Sequence, residues 1–380
     1  MSSFVLAVST MVGTIVGAGI FGIPYVVTIS GVVPSIFYFF LIGAVVALLH
    51  LFFGEVCLRT SGKHRLVGYA QMYLGSWGKL ASTLILVFVL LGTLLAYLIL
   101  VGDFAQIIFE KISLPLVLVP ILFSIVALVF VLLGRRLITK VEFFTNIAFL
   151  VAIGLLFLFA LPHLHWSNFA LPFIDMPSLS NLFLPFGVFL FAFIGFEAVP
   201  EVMSFLRDTH AFSSLKKVLI ASSIAAGLFF FLFAFAVLGV SGANTSPDAF
   251  SGLLPFLGET IISFGAIFGI LVIADSFLVL GNYLKNSLRH DFSIPTIPAA
   301  LLALGTPLAL FLLGLREFIG VISIVGGVFG AVEGVLIVLI FQAAKVKGDR
   351  TPEYSIKVPS PVLFLIAILL VGGAAATLLL

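Results

Sequence analysis

The chain has 380 residues, 62% of them hydrophobic and 9% charged, with a formal net charge of +2 and a mean hydropathy of +1.34. So apolar a balance excludes a water-soluble domain, and no clustered basic face on a polar segment is present to suit a nucleic acid. Backbone amides in hydrocarbon must be satisfied within the chain, and apolar runs of about 20 residues select helices over the shorter alternating strands of a barrel.

The expected fold class is therefore all-α, a polytopic membrane protein. In chain order the predicted spans are 5–30, 33–57, 80–109, 115–133, 141–161, 182–206, 217–241, 256–286, 297–314, 318–343 and 360–380, eleven in all. The first is too long for a signal peptide and has no basic leader, since the first Lys or Arg is Arg59. It is expected to remain in the mature protein. The lone cysteine, Cys57, can form no intrachain disulfide and reads as a packing residue.

Short cytoplasmic loops hold an excess of Lys and Arg, which sets orientation. Arg59, Lys63, Arg65 and Lys79 follow span 2; Arg135, Arg136 and Lys140 follow span 4; Arg207, Lys216 and Lys217 follow span 6. Lys285 and Arg289 follow span 8, and Lys345, Lys347, Arg350 and Lys357 follow span 10. Only Lys111 and Arg316 lie on the other side, a bias of 16 to 2. The expectation is a multi-pass protein of the cell membrane, plasma or inner, with a cytoplasmic N-terminus and a C-terminus outside.

Two spans are interrupted. Span 1 contains "GTIVGAGIFGIP", Gly13 to Pro24, and span 6 contains "FGVFLFAFIGFEAVPEV", Phe186 to Val202, with Gly195, Glu197 and Pro200 inside it. Span 1 runs outward and span 6 inward. Gly/Pro-broken segments at matching positions in two halves of opposite orientation point to an inverted-repeat transporter with its site where the breaks meet. The competing reading is helix packing, because Gly13 and Gly17, like Gly265 and Gly269, form G-x-x-x-G pairs. Unwinding at Gly17-Ala18-Gly19 would bare the amides of Gly19, Ile20 and Phe21 as a helix N-terminus suited to a carboxylate. A matching break from Ile194 to Glu197 would bare carbonyls suited to an ammonium group. An α-amino acid carries both.

The segments "GTIVGAGIFGIPY" and "FAFIGFEAVPEV" resemble the amino acid–polyamine–organocation superfamily, whose fold is the five-plus-five inverted repeat of LeuT-type transporters. "LLAYLILVGDF" at 94–104 and "DSFLVLGNYLKNSL" at 275–288 are similar to spans 3 and 8 of aromatic amino acid permeases, and the aromatic and amino acid/auxin permease branch is the nearest in motif. The resemblance implies a ten-helix core over 1–343, with repeats at about 5–161 and 182–343, followed by a cytoplasmic loop and accessory helix over 344–380. Many relatives have twelve spans and this chain eleven. In sodium-coupled LeuT-type relatives the cation sits between the span-1 break and span 8, where this chain has Asp275-Ser276. A carboxyl there could hold a proton instead.

Ionisable residues within the hydrocarbon are costly and are functional candidates by default. Asp275 and Glu197 each lie ten residues before an inner basic residue, about 15 Å at about 1.5 Å per residue, so both fall near mid-depth. Asp275, Ser276, Glu197 and Glu201 are the expected coupling residues, with Glu201 one turn inward from Glu197. His50 and Glu333 are further buried groups, each a candidate proton relay or a structural residue. Asp103 and Glu259 lie near outer ends, and His163-x-His165 is too little for a metal. No cofactor is expected beyond a coupling ion, with H+ preferred and Na+ the alternative.

The expected substrate site comprises Gly17, Ala18, Gly19, Ile20, Tyr97, Phe191, Ile194, Gly195 and Phe196, with Phe191 or Phe196 as gate and Phe193 nearby. This apolar, aromatic set favours neutral amino acids. The function expected is a proton-coupled secondary transporter of such amino acids, with a sodium symporter as alternative. A second alternative is a membrane receptor of the same fold, of the spore-germination kind, that senses an amino acid without moving it. An enzyme is disfavoured, because intramembrane aspartyl proteases need paired motifs that Gly102-Asp103 alone does not supply, and no H-E-x-x-H occurs.

Overall fold

The computed structural model describes residues 3–109, 115, 117–133, 151–170 and 178–379. The basic residues Lys111, Arg135, Arg136 and Lys140, the first half of expected span 5 and the last residue of span 11 lie outside the described residues. Among the described residues there is no strand. The helices are α1 (Ser3–Ile15), α2 (Gly19–Ser30), α3 (Val32–Arg59), α4 (Leu66–Phe109), α5 (Leu118–Leu133), α6 (Val151–His163) and α7 (Leu179–Phe193). They continue with α8 (Ala198–Asp208), α9 (Leu215–Ser241), α10 (Leu254–Asp291), α11 (Thr296–Leu312), α12 (Phe318–Ile324), α13 (Ala331–Lys347) and α14 (Ser360–Leu379).

By length and hydropathy seven helical stretches can cross a membrane, and an eighth if the bent pair α1–α2 counts as one span. Three shorter apolar helices, α5, α6 and α11, lie on the expected spans 4, 5 and 9. Helix α5 has 16 described residues, about 24 Å at about 1.5 Å per residue, short of a core of about 30 Å. This is a multi-pass helical membrane protein.

Helix α4 starts well before the expected span 3. Gly75 adopts φ 78° inside it, so a short arm from Leu66 precedes the long helix. Only glycine enters that region without strain, and the turn lets the arm lie across the end of the bundle.

The two broken spans pack against each other half by half, α2 on α7 and α1 on α8. Both breaks therefore sit at one level. On one side of that level, rings from four elements close together: Phe21 meets Phe104, Phe233 and Phe250 edge-on at centroid distances of 5.1, 5.7 and 5.4 Å. Gly265 and Gly269 face Phe250 and Phe104, so that G-x-x-x-G pair serves packing, as one of its two readings held.

The opposite end is tied by polar contacts between the loops after expected spans 2, 6 and 10. The Arg207 guanidinium donates to the carbonyls of Cys57 at 2.7 Å, Thr60 at 2.8 Å and Gly62. These are the orphan carbonyls at the C-terminus of α3. Glu55, fully buried, accepts from Arg59 at 2.8 Å, Ser355 at 3.1 Å and the Ile356 amide at 2.5 Å, and lies 3.5 Å from Lys345. Tyr354 donates to the Leu51 carbonyl and Arg350 to that of Leu58. Arg59, Arg207, Lys345 and Arg350, from these three loops, thus gather at one end of the bundle.

Candidate functional site

Helix α1 stops at Ile15 and α2 resumes at Gly19 with a bend of 54°. Across the bend, Ile20 and Phe21 donate to the carbonyls of Gly17 and Ala18 at 3.4 and 3.1 Å. This corrects the expected amide set: the new helix start tightens into a turn that occupies Ile20 and Phe21, as helix ends commonly do. Gly19 and its neighbour Ala18 remain as the amides without a backbone acceptor among the described residues.

In span 6 the helix leaves off at Phe193 and resumes at Ala198. Among the described residues no backbone amide reaches the carbonyls of Phe191, Ala192, Phe193 or Ile194. Orphan carbonyls thus end the outer half. The glycines of the two breaks allow this approach, since a Cβ on Gly19 would lie 2.7 Å from Cα of Ala192 and one on Gly195 would lie 2.7 Å from Ile15.

Between the breaks lies a cleft of about 50 Å³, lined on one wall by Gly17, Ala18 and Gly19 and on the other by Phe191, Ile194, Gly195 and Glu197. Tyr97 closes one side. A second cleft of about 40 Å³ adjoins it, lined by Gly13, Asp275 and Ser276, and the two share Thr14, Tyr97 and Leu280. The Tyr97 hydroxyl meets the Ser276 side chain and the Ala18 backbone and feels both Glu197 and Asp275. It is the partition between the two clefts, and a Cβ on Gly17 would sit 2.8 Å from it.

Of the expected substrate residues, Ile20 and Phe196 do not line the cleft. Ile20 is fully buried on the far side of α2, and Phe196 is fully buried with its ring edge-on to His50 at 5.2 Å. Phe193 turns away to Phe39 and Phe230. For Ile20 and Phe193 the 3.6-residue period decides this: once the break fixes which face of each half meets the other, the remaining faces must point out of the cleft. Of the two rings named as gates, Phe191 is on the cleft and Phe196 is not. Glu201 lies outside the cleft, 3.8 Å from Arg65, whose guanidinium also sits over the Tyr283 ring at 4.4 Å.

Sequence reasoning missed Thr14, Val89, Leu90, Thr93, Leu280 and Val325, all on the cleft. Thr14 and Thr93 donate their hydroxyls to Thr10 and Val89 of their own helices, which leaves oxygen lone pairs to accept. It also missed a π-helical turn, Val325–Gly330, between α12 and α13. The signal was present as "VGGVFG" in span 10: Gly326 lies against the backbone of Phe191 and Gly330 against Ile194, so this turn seats the span-6 break.

Free backbone groups at the ends of broken helices, facing a cleft inside a membrane bundle, define a class: membrane proteins that hold a small polar solute within the bilayer. Comparison with known families makes the class specific. The family model for transmembrane amino acid transporter proteins matches residues 1–344, and the chain belongs to that family. Comparison with curated proteins finds no match.

Proposed function

We propose that the protein is a secondary active permease for neutral amino acids, apolar or aromatic ones preferred, working by alternating access and driven by a proton carried on Asp275. The observation that carries this reading is the convergence of two helix breaks on one cleft. The amide of Gly19 suits a carboxylate, with the Ala18 amide and the Tyr97 hydroxyl beside it, the carbonyls from Phe191 to Ile194 suit an ammonium group, and one α-amino acid satisfies both. Ile15, Leu90, Phe191, Leu280 and Val325 then form the surroundings of its side chain. Such a lining favours apolar substrates by burial and offers a basic side chain little beyond Glu197.

Coupling follows from Tyr97. Because one phenol borders both clefts, a charge change at Asp275 alters what Ala18 and the substrate meet on the other side. A second reading has a specific observation in its favour: Asp275, Ser276 and Thr14 bring carboxylate and hydroxyl oxygens to one cleft, a donor set that also suits a hard cation. The test is counterflow of labelled amino acids in proteoliposomes, with sodium and pH varied separately. Exchange of leucine- or phenylalanine-like amino acids, insensitive to sodium and accelerated by an inward proton gradient, is the expected result. A steep sodium dependence at fixed pH transfers the role to the cation, and no exchange of any amino acid overturns the proposal.

A further inference from the structure

Where α12 passes into α13 the chain widens into the π-helical turn Val325–Gly330, a geometry frequent at functional sites. The turn is pressed onto α7 with no room to retreat. A Cβ on Gly326 would fall on the Gly187 carbonyl and the Phe191 amide, and one on Gly187 would lie 2.7 Å from the Ser323 hydroxyl and 2.9 Å from Cα of Ser323. Val325, the first residue of the turn, is 4% exposed and lines the cleft together with Phe191.

On its other side Val325 meets α4, and it meets a glycine. A Cβ on Gly92 would fall on Cγ2 of Val325, and Cβ and Cγ1 of the same valine are its next neighbours at 3.6 and 3.8 Å. Around Gly92, helix α4 lines the cleft with Val89, Leu90, Thr93 and Tyr97, and the Tyr97 hydroxyl meets the Ala18 backbone at the span-1 break. The cleft therefore extends along α4 from Tyr97 towards Val89. Gly92 lies five residues before Tyr97, about 7.5 Å away along the axis at about 1.5 Å per residue. An amino acid with its carboxylate beside Tyr97 brings the end of an apolar side chain to the level of Val325.

We infer that Val325, seated between Gly92 and the π turn, sets the length of side chain that the cleft admits; this rests on the reading of the cleft as an amino acid site. Gly92 is its counterpart, because the missing Cβ leaves a recess in α4 that takes up part of the isopropyl group. Filling the recess with Gly92→Ala drives the isopropyl group towards the substrate, since α7 blocks the turn from behind. Val325→Ala does the reverse and opens space at the end of the cleft. The two substitutions have opposite signs, so in combination they should offset each other.

Counterflow in proteoliposomes of the purified full chain, with labelled alanine, leucine and phenylalanine run in parallel, reads the size limit as ratios of initial rates. A methylene in an apolar pocket changes discrimination by at least about tenfold, so Val325→Ala should raise phenylalanine relative to leucine by about that factor. Gly92→Ala should lower leucine relative to alanine to a similar extent. The double variant Gly92→Ala/Val325→Ala should return both ratios towards those of the wild type. Loss of a merely structural contact would slow all three amino acids alike, so unshifted ratios in Val325→Ala overturn the inference. So does a double variant whose leucine-to-alanine ratio is no nearer the wild type than that of Gly92→Ala. If Gly92→Ala is not monodisperse, Val325→Leu lengthens the same side chain and should also lower leucine relative to alanine; an unchanged ratio there is equally fatal. Exchange that is present in the wild type with unshifted ratios in the variants defeats this inference alone, whereas a wild type that exchanges no amino acid defeats the transporter reading and the inference with it.

Discussion

Gly17 and Gly19 stand two residues apart in one break and do different work. Gly19 is a contact glycine, because its missing Cβ is where Ala192 sits, so Gly19→Val should separate α2 from α7 and lower the melting temperature in detergent as well as binding. A Cβ on Gly17 would meet only the hydroxyl end of Tyr97, and Gly17→Ala should leave the protein monodisperse while displacing the phenol. Loss of one hydrogen bond of about 1 kcal/mol predicts roughly fivefold weaker amino acid binding. Calorimetric titration of both variants checks the contrast. From the sequence these glycines were legible as a break but not as two roles, since what a Cβ would meet is set by distant residues, Tyr97 for Gly17 and Ala192 for Gly19. At Asp275 the expected result follows from charge: Asp275→Asn mimics the protonated acid, so exchange should survive and pH-driven accumulation should disappear. Retained accumulation in liposomes with an imposed pH gradient would exclude Asp275 as the coupling residue.

Among elements, the two breaks were legible because glycine and proline inside an apolar run have few other uses. The arm at the start of α4 and the π turn were not, because hydropathy is continuous through both and the deviation lies in backbone geometry. The aromatic group of Phe21, Phe104, Phe233 and Phe250 was equally hidden, since 43 phenylalanines give no sequence signal for the four that meet. It packs α2 against α4 and α9 on one side of the breaks, where it is expected to act as a barrier above the cleft. Edge-to-face pairs contribute about 0.5–1.5 kcal/mol each beyond buried area, enough to bias which side is open. With the one cysteine removed as Cys57→Ser, a cysteine placed at Thr93 should resist a membrane-impermeant thiol reagent added from that side. Adding Phe250→Ala should raise the labelling rate severalfold. Equal rates with and without Phe250→Ala would show that the rings are not a barrier.

For the molecule as a whole, the helical class and its membrane solvent were legible from composition, because no soluble fold tolerates so few charges. The loop bias predicts a C-terminus outside; a C-terminal reporter that is active only in the cytoplasm should be silent, and activity would reverse the assignment. The segment after α13 was legible only as a basic loop. In the fold it is a strap, with Glu55 as its buried anchor. Glu55→Gln leaves Arg59 and Lys345 facing a neutral amide and should cost about 3 kcal/mol, seen as a lower melting temperature of the purified protein. Unchanged melting would make the strap incidental.

That strap also divides the bundle into moving parts. Because Glu55 joins α3 to the segment after α13, and Arg207 clasps the end of α3 from α8, these three helices cannot slide past one another without breaking several buried polar contacts at once. They form a chassis. The arm of α4 is fixed to it by a buried 2.7 Å hydrogen bond between the Tyr73 and Thr60 hydroxyls and by the donation from Lys347 to the Tyr73 carbonyl, while the ion pair of Arg65 with Glu201 lies nearer to water. Helix α1 packs on α8 and α9, and the Ser222 hydroxyl on α9 donates to the Val8 carbonyl at 3.5 Å. An inward opening that carries the α4 arm away from this frame must therefore break the buried Thr60–Tyr73 hydrogen bond as well as the exposed Arg65–Glu201 pair.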